Sequence, residues 1–242
     1  MSIDEKEREQ AILDAAAGLL LRHGYNKTTM SDVADAVGLH RGLVYLQFKS
    51  KDELVEALII RELNTYAEAW SRQLEADPLG GTVASLYRSM LHALKPLPLT
   101  TAILTRDEEI FGKYTRKPGN LLTRLPNNGL TRDFLQAMQE VGVVRRDVNI
   151  TAMALVMDAL TPAIMETLAA YKEESRSDRA HASKPSYDEL METISEMLER
   201  MLTPEAGINL AAGKAIMLRG LDAARAHFIQ MEQQKKENSH GT

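Results

Sequence analysis

Apolar residues recur every three to four positions along most of this chain, which is the period of an amphipathic helix. Ile12, Ala16, Leu19 and Leu20 form one such face and predict a first helix over about residues 5–22, ending near Gly24. Further helices are predicted over about residues 30–37, 40–47, 51–75, 82–94, 100–111, 130–141, 150–171 and 187–202, followed by a last helix with Pro204 at its first position. No segment has the alternation of a strand, so we predict an all-α fold.

Polar and Gly/Pro-containing stretches divide these helices. Residues 112–129 hold five Gly and Pro residues and are predicted to be irregular or short-helical. Residues of about 172–186 are polar and rich in Ser, Lys and Pro, which predicts an exposed loop. Residues of about 233–242 are predicted to form a polar tail.

Residues 28–54 have the pattern of two short helices joined by a tight turn at Gly38. Thr29 is followed by an acidic residue three positions later, and so is Ser50, which predicts a capped helix start at each place. Two short helices joined by a Gly-containing turn form a helix-turn-helix, whose second helix enters the DNA major groove. Duplex DNA is therefore the predicted partner.

The charge of the chain is compatible with DNA binding only at a local basic surface, because the net charge is −5. Residues 27–51 hold four basic and two acidic side chains, whereas residues 52–76 hold two basic and six acidic ones. The change of sign predicts a boundary between a DNA-facing head and an acidic body.

The sequence offers little for catalysis or metal binding. It contains no Cys, and its six His residues lack the spacing of metal-binding motifs. No G-x-S-x-G segment or phosphate-binding loop is present. We therefore predict that the protein is not an enzyme and has no metal and no cofactor. The charged N-terminal residues and the absence of Cys favour a cytoplasmic location.

The helix-turn-helix region contains an ordered set of residues typical of one family. The set is Ile12, Ala15, Ala16, Gly24, Tyr25, Thr28, Thr29, Val33, Ala34, Val37, Gly38, Leu39, Gly42, Tyr45, Phe48, Ser50, Lys51, Asp52 and Leu54. With these residues the first 55 positions resemble the DNA-binding domain of the TetR/AcrR family of bacterial regulators. The resemblance implies a DNA-binding domain at residues 1–55 and a helical effector-binding and dimerisation domain at residues 56–242. His40 and Leu43 depart from the small hydroxyl residues common in the family.

The candidates for DNA contact lie on the second helix of the motif and at the caps around it. Gly42, Leu43 and Leu46 lie opposite Val44 and Phe48 on a helical wheel, so they are expected to face the groove. The full set of candidates is Thr29, His40, Arg41, Gly42, Leu43, Tyr45, Leu46, Gln47, Lys49 and Lys51.

Dimerisation and effector binding are expected of the body. Residues 150–171 are apolar on nearly every side and are interrupted by Asp158, Pro162 and Glu166, which predicts a buried or interface helix and not a membrane span. By the family resemblance, residues 150–171 and 187–202 are expected to form a homodimer. The alternative is a helix buried within one subunit.

A small, largely apolar effector is expected to bind among aromatic and Met side chains of the body. The candidate lining residues are Tyr66, Trp70, Tyr87, Met90, Leu94, Ile103, Phe111, Tyr114, Met138, Met153 and Met157. The predicted function is a homodimeric transcriptional regulator, a repressor released from a pseudo-palindromic operator by the effector. The alternative is a DNA-binding regulator without a small-molecule effector, which acts as an activator or is controlled by a protein partner.

Overall fold

The computed structural model describes residues 5–78, 80–125, 130–174 and 186–240, and in these residues every regular element is a helix. The all-α prediction is confirmed. The α-helices are α1 (Glu5–Lys27), α2 (Met30–Ala36), α3 (Arg41–Gln47), α4 (Lys51–Ala76), α5 (Val83–Leu94), α6 (Pro98–Thr105), α7 (Glu108–Phe111), α8 (Leu121–Arg124), α9 (Leu130–Glu140), α10 (Ile150–Glu174), α11 (Tyr187–Leu202) and α12 (Leu210–His240). A 3-10 helix, Gly112–Arg116, follows α7.

The chain packs as two units, each assembled from separate parts of the sequence. The first unit comprises Met1–Thr65, Pro98–Leu125 and Phe228–Thr242, and the second comprises Tyr66–Leu97 and Pro126–His227. Helices α4 and α12 therefore each contribute residues to both units. The division by function into residues 1–55 and 56–242 stays a prediction, since these packing units do not follow that boundary.

The first unit is built around the buried face of α1. Ile12, Ala16 and Leu20 are all at most 1% exposed, and they pack with residues of α2, α3, α4 and α6 in one hydrophobic core. Phe111 and Tyr114 join this core from the segment after α6. Burial of this apolar surface is the main stabilising contribution to the unit.

Gly24 allows α1 to kink against the backbone of α7. Its φ of 69° is in the left-handed region, and a Cβ at this position would lie 2.6 Å from the carbonyl oxygen of Glu109. Only Gly combines this φ with so close a backbone approach at little cost. The prediction that the first helix ends near Gly24 is consistent with this kink, although helical turns continue to Lys27.

The second unit pairs α5 with α11, and α9 with α10. Tyr187 at the start of α11 donates a hydrogen bond to the carbonyl oxygen of Leu91 at 3.0 Å, and Asp188 pairs with Lys95 at 2.8 Å. The Nζ of Lys214 on α12 donates to the carbonyl oxygens of Glu75 and Asp77, where α4 ends. The last carbonyl groups of a helix have no hydrogen-bond partner within the helix, and the Lys214 ammonium supplies one here.

Three predicted element boundaries are wrong for identifiable reasons. The helix predicted over residues 100–111 divides into α6 and α7, because Arg106 adopts a φ of 54° and Asp107 caps a new helix. The last helix begins at Leu210 and not at Pro204, because Gly207 has a φ of 76° and the Asn209 side chain accepts the N–H of Ala212. The predicted polar tail continues as helix to His240, since Gln, Lys and Glu are good helix formers.

The predicted polar loop lies mostly outside the described residues. Residues 175–185 are not described, whereas residues 172–174 belong to α10. Within the described residues, Ile150–Thr167 is long and apolar enough to cross a membrane by length and composition alone, which is weak evidence from a single helix. Only 17% of this segment is buried in the single chain.

Candidate nucleic-acid interface

The first helix of the motif, α2, is fixed by a reciprocal cap. The Thr29 hydroxyl accepts a hydrogen bond from the Asp32 N–H at 3.2 Å, and the Asp32 carboxylate accepts one from the Thr29 N–H at 2.8 Å. The Thr29 hydroxyl also donates to this carboxylate, and these hydrogen bonds lower the pKa of Asp32. The capping box predicted here is confirmed, and Thr29 remains exposed beside it.

The turn between α2 and α3 depends on Gly38. Its φ is 66°, and its N–H and the N–H of Leu39 bond back to the carbonyl oxygens of Asp35 and Ala34. Helices commonly end with a residue in the left-handed region, which lets backbone N–H groups bond to the last carbonyl oxygens of the helix. Gly adopts this conformation without a steric penalty, because it has no Cβ. The turn therefore sets the direction in which α3 leaves α2.

The second helix, α3, is capped by His40. The His40 Nδ1 accepts the N–H of Gly42 at 3.2 Å, and a Cβ on Gly42 would come within 3.1 Å of the same nitrogen. His40 thus fills the capping role for which the family commonly uses a small hydroxyl residue. The structure adds a second reason for Gly42 beside access to DNA, because a side chain there would crowd the cap.

One face of α3 is buried and the other is open, as its periodicity predicts. Val44 is fully buried and Phe48 is 4% exposed, which anchors the helix in the first unit. On the outer face Leu43 is 38%, Tyr45 41% and Leu46 76% exposed. An α-helix of this size fits the major groove, so the outer face of α3 is the candidate nucleic-acid interface.

Two polar side chains of α3 already have partners in the free protein. The Arg41 guanidinium lies 5.7 Å from the centroid of the Tyr45 ring, which is a cation–π distance. The Gln47 side-chain N–H donates to Glu9 on α1 at 3.3 Å. Arg41 is exposed at the start of the helix and Gln47 is half-buried at its end.

Lys51 has a structural role that its position did not reveal. Its Nζ donates to the carbonyl oxygens of Tyr25 at 2.7 Å and Thr28 at 2.9 Å, and it lies 3.8 Å from the centroid of the Tyr25 ring. Partial burial and the nearby charge of Lys117 lower the pKa of Lys51. In the free chain this ammonium therefore joins α4 to the end of α1, and the DNA contact predicted for Lys51 stays a prediction.

A second polar cluster beside this one was missed from the sequence. The Asp52 carboxylate accepts the Tyr25 hydroxyl and, at 2.5 Å, the Nζ of Lys117. Partial burial raises the pKa of Asp52, but hydrogen bonds from Lys117 and Tyr25 outweigh that effect and leave it below the ordinary value. Lys117 lies 65 positions away in the sequence, and no local motif marks the pair.

The residues predicted to line an effector pocket do not occupy one unit. Ile103, Phe111 and Tyr114 are each 1% exposed and belong to the core of the first unit, because α6 and the segment after it pack against α1. The other eight lie in the second unit, where Tyr66, Tyr87, Met90, Leu94, Met138 and Met157 are buried and Trp70 and Met153 are half-buried.

The second unit also contains an open cleft that the sequence did not predict. It measures about 510 Å³ and is lined by Arg145, Asp147, Val148, Asn149, Ala152, Met153, Val156, Arg200 and Met201. Only Met153 is shared with the predicted lining. Within the described part of the chain, no group of three or more His, Cys, Asp or Glu residues could hold a metal ion.

The buried helix-turn-helix frame and the open outer face of α3 define a DNA-binding protein. The sequence pattern of the family described as "Bacterial regulatory proteins, tetR family" matches residues 12–58. The probable acrEF/envCD operon repressor of Escherichia coli (strain K12) is 26% identical over 165 residues, which are 65% of this chain and 74% of that protein. The HTH-type transcriptional regulator YfiR of Bacillus subtilis (strain 168) is 30% identical over 59% of this chain and 76% of its own length.

A solved structure shows the same fold. A TetR-family transcriptional regulator from Haemophilus influenzae RD superposes with a TM-score of 0.54 at 20% identity, over 84% of this chain and 100% of that one. The chain belongs to the TetR family, and it is a DNA-binding transcriptional regulator. The relatives and the structural neighbour are likewise transcriptional regulators.

Proposed function

We propose that the protein is a homodimeric repressor that places two copies of α3 in successive major grooves of a pseudo-palindromic operator. The observation that carries the proposal is the open face of α3, where exposed residues oppose the buried Val44 and Phe48. The proposed DNA contacts are those predicted from the sequence apart from Lys51, with Thr29 and Tyr45 at phosphates, and we add a phosphate contact for Lys49. The location proposed for such a regulator is the cytoplasm.

The operator proposal is tested by binding to the DNA upstream of the gene for this protein, and by selection from random-sequence duplexes. Binding should weaken steeply with salt, because each neutralised phosphate releases counterions. Tyr45→Phe should weaken binding to all sequences alike, since a phosphate contact carries no sequence information. Failure to enrich any duplex would contradict the proposal.

The dimer proposal is supported by apolar side chains that the single chain leaves uncovered. Leu155 is 68%, Val156 48% and Leu160 42% exposed on α10, and Met197 and Met201 are 39% and 43% exposed on α11. These exposures support an interface helix over the alternative of a helix buried within one subunit. Several large apolar side chains exposed on two helices are a feature of protein interfaces.

A charge placed on this surface tests the dimer. Leu155→Glu should yield a monomer by analytical ultracentrifugation and lose affinity for a two-half-site operator. Leu46→Glu is the matched control, because Leu46 is comparably exposed but lies on α3. The control should remain dimeric. A dimeric Leu155→Glu variant would contradict this surface as the interface.

The effector proposal is supported by aromatic and Met side chains of the second unit. Tyr66 and Trp70 stack with ring centroids 5.6 Å apart, and the Trp70 indole N–H donates to the Ser89 hydroxyl at 3.0 Å. Trp70 is the only Trp of the chain, so its fluorescence reports on this region alone. Energy transfer from Trp70 to 1-anilinonaphthalene-8-sulfonate, an anionic dye whose aromatic rings bind apolar sites, is expected, together with release of the operator. Dye binding that leaves the operator bound would favour a regulator without a small-molecule effector.

A further inference from the structure

At the centre of the outer face of α3, Leu43 and Leu46 flank Tyr45, whose hydroxyl is the only side-chain hydrogen-bonding group there. Leu43 and Leu46 are three positions apart and therefore neighbours on one side of the helix, and Gly42 lies one turn before Leu46. Leu46, 76% exposed, is the most exposed large apolar side chain in the described residues. A leucine so placed contributes nothing to the core of the first unit.

The other polar side chains, those of His40, Arg41 and Gln47, lie at the ends of α3 and have partners of their own. At the start, His40 accepts the N–H of Gly42 and Arg41 lies over the Tyr45 ring. At the end, Gln47 donates to Glu9. Since Tyr45 is proposed to contact a phosphate, the surface that would meet the bases in the middle of the groove is made by the hydrocarbon of Leu43 and Leu46.

The major groove offers one apolar feature to such a surface, which is the C5-methyl group of thymine. We propose that the protein reads thymine methyl groups in each operator half-site through Leu46 and Leu43. This inference rests on the proposed insertion of α3 into the major groove. It adds the class of base recognised and the two residues that determine it. Sequence discrimination at these positions then comes from apolar contact in place of hydrogen bonds to base edges.

Deoxyuridine provides the probe, because it keeps the pairing and the O4 acceptor of thymine and lacks only the methyl group. After selection of a binding duplex, each thymine is replaced singly by deoxyuridine and the dissociation constant is measured at fixed salt. In each half-site, replacement of at least one thymine should raise the dissociation constant of the protein about fourfold. This factor corresponds to the free energy of burying one methyl group.

The variants assign that loss to the leucines. Leu46→Ala should bind the thymine and deoxyuridine duplexes equally at the position read by Leu46, and Leu43→Ala should do the same at its own position. Both leucines are exposed, so neither substitution should impair folding. Leu21→Ala is the matched control, because Leu21 is 38% exposed, like Leu43, but lies on α1. It should keep the full fourfold difference.

The outcomes separate this inference from the proposed function. A selected duplex whose affinity is the same with thymine and deoxyuridine at every position would overturn the methyl readout and leave the DNA-binding function standing. A thymine effect that persists unchanged in both leucine variants would overturn the assignment to these residues. Failure to select any duplex would overturn the proposed function, and the methyl readout with it.

Discussion

Replacing Lys51 with Ala should destabilise the protein and leave the salt dependence of DNA binding unchanged. The reason is that the Lys51 ammonium is held by the carbonyl oxygens of Tyr25 and Thr28 and by the Tyr25 ring. A group bound in this way joins two helices and releases few counterions from DNA. A lysine that neutralises a phosphate would have the opposite pair of effects.

The magnitude of the destabilisation follows from the three interactions that the Lys51 ammonium makes. Each hydrogen bond from a charged, half-buried donor contributes about 1.5 kcal/mol, and the cation–π interaction adds about 0.5–1 kcal/mol. Releasing the ordered Lys side chain returns about 1.5–2 kcal/mol. The net loss is therefore about 2 kcal/mol, which for a chain of this length lowers the melting temperature by about 4–8 °C.

The assay compares Lys51→Ala with Lys49→Ala. Lys49 is exposed two residues earlier, so it is the matched variant for a phosphate contact. Lys49→Ala should reduce the slope of log K against log salt by about 0.9 per contact. A Lys51→Ala variant that melts like the wild type and has the reduced slope would refute the structural role assigned to Lys51.

Two further predictions concern stability. Gly24→Ala should lower the free energy of unfolding, measured by urea denaturation, by about 2–4 kcal/mol, because Gly24 combines a left-handed φ with a close approach to the Glu109 carbonyl. Gly220 is the control, since it is exposed within α12 and no atom lies near its Cβ position. Gly220→Ala should raise the free energy of unfolding by up to about 1 kcal/mol. Folding lowers the pKa of Asp52 below its ordinary value of 3.8. The wild type should therefore have a larger free energy of unfolding than Asp52→Asn above pH 3.8, and this difference should disappear as the pH falls through the pKa of the folded chain. Urea titrations between pH 3 and 7 measure this difference, and an advantage that grew on acidification would contradict the Asp52–Lys117 pair.

The sequence was sufficient where the physical cause is local. The Thr29 cap needs only a partner three residues away, and the burial of Val44 and Phe48 follows from the period of one helix. The turn at Gly38 needs only the freedom of that residue to adopt a positive φ. These features position the candidate DNA-binding face, which explains why it could be predicted.

The features that were missed depend on residues far apart in the sequence. Lys117 meets Asp52 across 65 positions, and no motif anticipates which side chains a returning segment brings to the start of α4. Phe111 and Tyr114 have the character of core residues in any helical protein, but their sequence does not say which core they join. Helix boundaries also moved where a single cap, such as Asp107, outweighed a continuous apolar pattern.

The composition of the first unit has a consequence for the order in which the chain can fold during synthesis. Phe228 and Met231 pack against a core whose other members lie between Ile12 and Leu125. A ribosome adding about 5–20 residues per second needs roughly 5–20 s to proceed from the second segment of this unit to the third. During that interval the core beneath the helix-turn-helix lacks Phe228 and Met231, and synthesis of the segment that holds them supplies its last members.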